Sequence, residues 1–399
     1  MRTRMRVGVA LLLIVVALAA FNYLRPIPAV AAAPLLPPTD TVPGTPPTLP
    51  WPSHGSGAVA VANLGFIGSS GNEQAMPAAS VTKVMTALIV LEDKPLKKGE
   101  TGPNVILTDV DVQSYQSDLN DKQSVVKVEA GETLSEFQLL QGMLIPSANN
   151  LAETIARWDA GSIDSFVAKM NARAAALHLT HTKLADVSGA SASSVSTPTD
   201  LVNLGMVAMQ DDVFAEVVAM GQATLPVAGT VYNVNALLGQ SGILGIKTGS
   251  GLNTGANYLF AANVTVDGHT IVLYGCVMGQ STLAAAFATA TSLIAAISSA
   301  LHVRRVIARN QSIATYTTPW GEQTDLVSAV DVDLAEWPGM VLRQRLTANS
   351  IVIDQPLPPR TREGTEHVVL GDYTVDVPLV TADQLYPPGR LWRLTRVRF

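Results

Sequence analysis

The segment Met76-Pro77-Ala78-Ala79-Ser80-Val81-Thr82-Lys83-Val84-Met85-Thr86-Ala87 places a hydroxyl and an amine three residues apart, just where an apolar helical pattern begins. Val84, Met85, Leu88 and Leu91 recur at helical spacing, so a helix opens at Pro77-Ala78-Ala79-Ser80. Residues i and i+3 share one helix surface, which lets Lys83 reach Ser80. At a helix start the Ser80 N–H has no intrahelical partner and sits at the positive end of the dipole, where it can donate to a developing oxyanion. A second copy of the spacing, Ser124-Val125-Val126-Lys127, lies in a strand-like alternation. Residues three apart on a strand face opposite ways, so that lysine cannot serve that serine.

Lys83 as a base meets an energetic objection. An ordinary lysine titrates near a pKa of about 10.4, and supplying its neutral form at pH 7 costs about 4.6 kcal/mol. Burial and a second cation would both remove that cost. Lys247, in Lys247-Thr248-Gly249 at the end of an apolar strand, is a candidate for the cation. A lysine and a hydroxyl there also suit a substrate carboxylate, and Gly249 permits close backbone approach. Ser147-Ala148-Asn149 follows Pro146; the Ser147 hydroxyl can relay a proton, and Asn149 can accept from lysine and donate to a substrate carbonyl.

Working outward, Thr133-Leu134-Ser135-Glu136 reads as a capping box opening a helix that continues to Pro146, and a further helix covers roughly 151–177. Residues 242–248, 257–266 and 269–278 read as strands, the last two joined by the hairpin signal Asp267-Gly268. An Ala-rich helix over 281–301 packs on that sheet, giving an α+β domain over 56–303. Residues 304–399 alternate short β segments with turns and read as a small all-β domain, with Trp320, Trp337 and Trp392 expected in its core. Prolines crowd 25–55, which reads as a stiff linker.

At the other end, Arg2, Arg4 and Arg6 precede an uncharged apolar run from Val7 to Leu24. Residues 1–24 are therefore an export signal or a membrane anchor, and the rest of the chain faces outward. Both outcomes stay open: the run approaches a membrane span in length, while Ala29-Val30-Ala31 is a plausible cleavage site. Cys276 is the only cysteine, so there is no internal disulfide, and its apolar neighbours mark it as a packed hydrophobe. A net charge of −6 without a Lys/Arg-rich run argues against nucleic acid. The histidines His178, His181, His269 and His302 show no metal-ligand spacing.

Taken together, Ser80-Val81-Thr82-Lys83, Ser147-Ala148-Asn149 and Lys247-Thr248-Gly249 form the signature of penicillin-binding proteins and class A β-lactamases. Their surroundings resemble low-molecular-mass serine D-Ala-D-Ala carboxypeptidases specifically: the segment quoted first, Gly142-Met143-Leu144-Ile145-Pro146-Ser147-Ala148-Asn149, and Phe166-Val167-Ala168-Lys169-Met170-Asn171. The resemblance spans about 57–301. It implies the penicillin-binding, β-lactamase-like transpeptidase fold, a peptidoglycan stem peptide as substrate, β-lactams as covalent inhibitors, and neither metal nor cofactor. It also implies roles: Ser80 acylated, Lys83 its base, Ser147 the relay, Lys247 and Thr248 on the terminal carboxylate, and the Ser80 and Ser250 N–H groups as oxyanion hole. Gly251, Asn150 and Ala190 depart from the family's usual threonine, aspartate and leucine.

Two other classes compete. A β-lactamase of class A needs a glutamate to activate water, and none occurs between Glu153 and Glu216. A non-catalytic wall-binding or sensor module of the same fold would not need Ser80, Lys83, Ser147 and Lys247 together. An endopeptidase cutting cross-links would use the same residues.

Overall fold

The computed structural model describes residues 2–70, 74–251 and 254–396. The chain divides into two compact units, Pro47–Leu301 and the pair of segments Met1–Pro46 and His302–Phe399.

The larger unit is built on a five-stranded antiparallel sheet. Its strands are β1 (Ser56–Val61), β2 (Gly65–Ser69), β3 (Ile243–Gly251), β4 (Gly255–Val266) and β5 (His269–Gln280), in the order β3-β4-β5-β1-β2. The expected hairpin is present, with Val266 opposite His269 across Asp267-Gly268. Cys276 pairs with Ala58 in the middle of the sheet and is fully buried, its thiol pushed up by desolvation.

Between β2 and β3 the chain is largely helical: α1 (Lys83–Asp93), α2 (Asp109–Asn120), α3 (Glu136–Leu144), α4 (Asn149–Ala160), α5 (Ile163–Ala176), α6 (Pro198–Ala208) and α7 (Asp212–Val218). After β5 comes α8 (Leu283–Ala300). Strand alternation sends helices to both faces. Leu259 of β4 packs toward Gly205 of α6, whereas its neighbour Tyr258 meets Phe287 of α8 edge-on, ring centroids 4.9 Å apart. Helices packed on an antiparallel sheet are the α+β arrangement expected.

Two helix boundaries differ from the sequence reading. The helix before Pro146 is capped by Ser135, whose hydroxyl accepts from Gln138 N–H while the Gln138 side chain returns to Ser135 N–H. Thr133 belongs instead to a short strand paired with Asn104–Ile106, so the box sits two residues later. The single helix expected over 151–177 is two, because Gly161 takes a left-handed conformation that ends α4 and Ser162 caps α5.

The smaller unit is a seven-stranded sheet in the order Ala32–Pro34, Ser312–Thr317, Gln323–Ser328, Tyr373–Thr381, Arg362–Leu370, Val341–Ala348, Thr39–Thr41. Both edge strands come from the Pro-rich stretch that reads as a linker. Proline lacks an N–H to donate, which suits it to strand edges. Five residue steps from Pro34 to Thr39 span at most about 18 Å. Seven strands laid flat would separate their edges by about 29 Å at 4.8 Å per interval, so the sheet must curl. Trp320, Trp337 and Trp392 are half-buried rather than core; Trp320 and Trp392 meet edge-on and donate their indole N–H groups to the carbonyls of Tyr386 and Pro319.

The helix Arg2–Leu24 opens this unit, and its stretch Met5–Leu24 is long and apolar enough to cross a membrane. The Arg396 guanidinium donates to the carbonyl of Asn22 in the helix's last turn and to those of Arg25 and Pro26 just beyond its end.

Gly275 faces Phe260 across the β4–β5 ladder, and a Cβ there would stand 2.2 Å from the ring. Gly275→Ala should therefore overpack the core by about 1–3 kcal/mol. Chemical denaturation should show that loss, and Phe260→Leu in the same chain should restore part of it.

Candidate active site

Ser80 lies in a tight 3-10 turn, Ala79–Thr82, that runs directly into α1 and puts Lys83 at the first helical position. Ala79 holds a φ of +49° and Ser147 a φ of +69°, conformations that side chains with a Cβ rarely adopt. Packing imposes the first. A Cβ on Gly189 would come within 1.8 Å of the Ala79 carbonyl oxygen, and one on Gly249 within 3.0 Å of Ser80 N. Two glycines thus let two backbones close on the nucleophile's turn from either side.

Lys83 is completely buried. Its Nζ lies 2.9 Å from Ser80 Oγ, 2.6 Å from Asn149 Oδ1 and 2.8 Å from the Ser188 carbonyl oxygen. The last two atoms can only accept. An uncharged amine has two hydrogens, and these two acceptors claim them, which leaves the lone pair for the Ser80 hydroxyl proton. Asn149 is oriented for this by donating its amide to Gln123 Oε1 at 3.2 Å. Desolvation, and then the charge of Lys247, hold the Lys83 amine well below its ordinary pKa, against weaker opposing pulls from Asp186 and Asp118.

Lys247 is 2% exposed and donates to Ser147 Oγ at 2.9 Å and to the Thr248 carbonyl at 3.2 Å. Burial brings its pKa down to about 7. The structure therefore gathers Ser80, Lys83, Ser147, Asn149, Lys247, Thr248 and Gly249 in one place. Ser250, next along β3, lies at its exposed end. An amine poised beside a hydroxyl, with a second cation near, is equipped for nucleophilic attack on the carbonyl of an anionic substrate.

The second Ser-x-x-Lys copy does not compete: Lys127 pairs with Glu129 at 3.0 Å. Its segment forms no ladder, contrary to the strand-like reading. Instead the Asn150 side chain accepts from Val126 N–H at 3.0 Å and donates to Val126 C=O at 2.9 Å, doing a neighbouring strand's work. Ser124 contributes only its carbonyl, which caps Asn149 N–H at 2.8 Å. At Gly251 an added Cβ would sit 2.9 Å from Thr254 Oγ1, so a hydroxyl stands beside that position from another residue.

Three contributors were not visible in the motifs. The Ser188 carbonyl holds Lys83, and Asp186 shapes its loop by accepting from Ser188, Ala190, Ser191 and Ser194. Asn257 donates to the Pro77 carbonyl and accepts from Gly279 N–H, each at 2.9 Å, tying the approach to Ser80 onto the sheet. Only Gly189 and Asn257, a buried polar residue near the start of β4, offered a signal.

Comparison with known proteins follows the same lines. A D-alanyl-D-alanine carboxypeptidase of Mycobacterium tuberculosis is 35% identical over 182 residues, 44% of this chain and 58% of that relative, so less than two thirds of its length is spanned. A D-alanyl-D-alanine carboxypeptidase of a Streptomyces species is 31% identical over 235 residues, 54% of this chain and 76% of the relative. The structure of penicillin binding protein 6B from Escherichia coli superposes with a TM-score of 0.63 at 21% identity, covering 86% of this chain and 99% of that one, a likeness of fold. The family model described as D-alanyl-D-alanine carboxypeptidase matches residues 62–282, more than half of the chain, and the chain belongs to that family.

Proposed function

We propose that the chain is a serine D-Ala-D-Ala carboxypeptidase that removes the terminal D-alanine from peptidoglycan stem peptides. The observation that carries this reading is the buried Lys83 amine, 2.9 Å from Ser80 Oγ and fixed by two acceptors that cannot take its lone pair. In the first step Ser80 Oγ bonds to the penultimate D-alanine carbonyl carbon while its proton passes to Lys83 Nζ. The oxyanion is received by backbone N–H groups of Ser80 and Ser250. The C–N bond then breaks, and the leaving amine takes a proton through Ser147 Oγ, which Lys247 already contacts. Water hydrolyses the resulting ester, returning Ser80. Lys247 and Thr248 hold the substrate's terminal carboxylate, and a charged ligand there restores the proton that burial disfavours on Lys247. A β-lactam carries a carboxylate and a strained amide and would acylate Ser80 the same way.

The apolar N-terminal helix supports placement outside the cytoplasm, either anchored in the membrane or released after cleavage past Ala31. The all-β unit over 304–399, with strands drawn from 25–55, supports a reading as a separate domain joined to the enzyme.

Two outcomes test the reading. Wild-type chain incubated with a pentapeptide ending in D-Ala-D-Ala should release D-alanine and take a fluorescent penicillin covalently. Ser80→Ala should do neither, and Lys83→Met should be acylated about 10²–10⁴-fold more slowly. Folded wild type that releases no D-alanine would favour a binding module.

The second concerns pH. Lys83 must be neutral and Lys247 charged, so kcat/KM should rise as Lys83 loses its proton and fall as Lys247 loses its own, from about 7 upward. Arginine stays charged up to a pH of about 12. Lys247→Arg should therefore abolish the alkaline limb of the kcat/KM profile; an unmoved limb would remove Lys247 from the role.

A further inference from the structure

In the smaller unit, the crossing over 35–38 between the two edge strands borders a cavity of about 470 Å³. Leu36, Ile313 and Leu346 give it apolar walls. Three polar residues of the sheet also line it, Gln344, Arg345 and Glu366. Strand alternation accounts for the placement of Gln344 and Glu366. Leu342, Gln344 and Leu346 share one face of Val341–Ala348, and Glu366, Val368 and Leu370 share the matching face of Arg362–Leu370. Arg345 and His367, opposite each other in register, belong to the other face.

Glu366 is only 2% exposed and sits between Leu346 and Val377 on the neighbouring strands. Its Oε2 and the Oε1 of Gln344 are buried without a hydrogen-bond partner. A leucine would fill such a position at no electrostatic cost, whereas a carboxylate there is expensive unless something donates to it. Burial accordingly pushes the carboxyl up, with His367 opposing weakly. Gln344 and Glu366 are diagonal neighbours on adjacent strands, about 7 Å apart and within reach of one small group. Both free atoms are acceptors. Two oxygens fall short of the six to eight that calcium gathers, but they suit a small cation that brings its own hydrogens and an apolar stem.

We propose that this cavity binds a primary ammonium on a short aliphatic stem. The stem lies against Leu36, Ile313 and Leu346, and the ammonium donates to Glu366 Oε2 and Gln344 Oε1. The site is independent of the Ser80 chemistry, so either can fail without the other.

Calorimetric titration of the full-length chain in detergent with N-acetyl-lysine amide tests this, with the Nε-acetylated compound as the uncharged control. Saturable binding is expected for the free amine, at least tenfold weaker for the acetylated one, at least tenfold weaker in Glu366→Gln, and unchanged in Ser80→Ala. Glu366→Leu should abolish binding and raise the thermal midpoint, since the position then holds an apolar group. No saturable binding, equal binding of both compounds, or indifference to Glu366→Gln would overturn the proposal. So would a lowered midpoint in Glu366→Leu, which would make the carboxylate a structural group.

Discussion

Removing water from around an amine is what the larger unit's architecture accomplishes at Lys83. In water the ammonium wins by several pKa units; inside this core it loses that hydration and meets a second lysine's field. Many other features follow from keeping the space dry and tight. The apolar core runs through Val81, Val84 and Met85 on the turn and α1, and through Leu139, Leu140 and Met143 on α3. Glycines at 189 and 249 let backbone rather than side chains seal the remaining approaches. The Asn149 and Ser188 oxygens are acceptors, each with an assigned hydrogen, so the amine is fixed in direction as well as in charge.

That tightness is also where strain is held. Ala79 and Ser147 occupy left-handed backbone positions flanking or carrying reactive hydroxyls, and their surroundings over-determine them. Ser80 is set by helix-side packing and Lys247 by the sheet, so the hydroxyl and the second cation come from elements far apart in sequence. Asn257 joins the two sides, binding the Pro77 carbonyl with one end of its amide and β5 with the other. A site assembled this way depends on the sheet and the helices docking correctly, and the shared core between them enforces it.

How much of this the sequence disclosed depends on range. Motifs with local geometry were readable: a Ser and a Lys one turn apart, a strand ending in Lys247-Thr248-Gly249, a hairpin at Asp267-Gly268. So was the family, through the residues around Ser80 and Ser147. Contributions made by backbone were not, since the Ser188 carbonyl carries no side-chain signature. Asn150 shows a related limit: a departure from the family's usual residue, its role becomes visible only when the unladdered Val126 lies beside it. Helix ends failed where pairing overrode a local signal: Thr133 read as the cap, but Thr133–Ser135 pairs with Asn104–Ile106 and the cap falls at Ser135. The Pro-rich stretch misled for a physical reason: proline marks an extended chain equally well as a spacer and as an unpaired sheet margin.

That margin has a consequence for biosynthesis. Ala32–Pro34 and Thr39–Thr41 leave the ribosome early, yet their partners Ser312–Thr317 and Val341–Ala348 appear only after the whole of Pro47–Leu301. At ordinary elongation rates the delay is on the order of tens of seconds. During it the nascent segment has no strand to pair with, and its prolines deny hydrogen-bond donors to foreign strands that might seize it. The interposed unit can meanwhile complete its own core, so the chain closes its smaller sheet last.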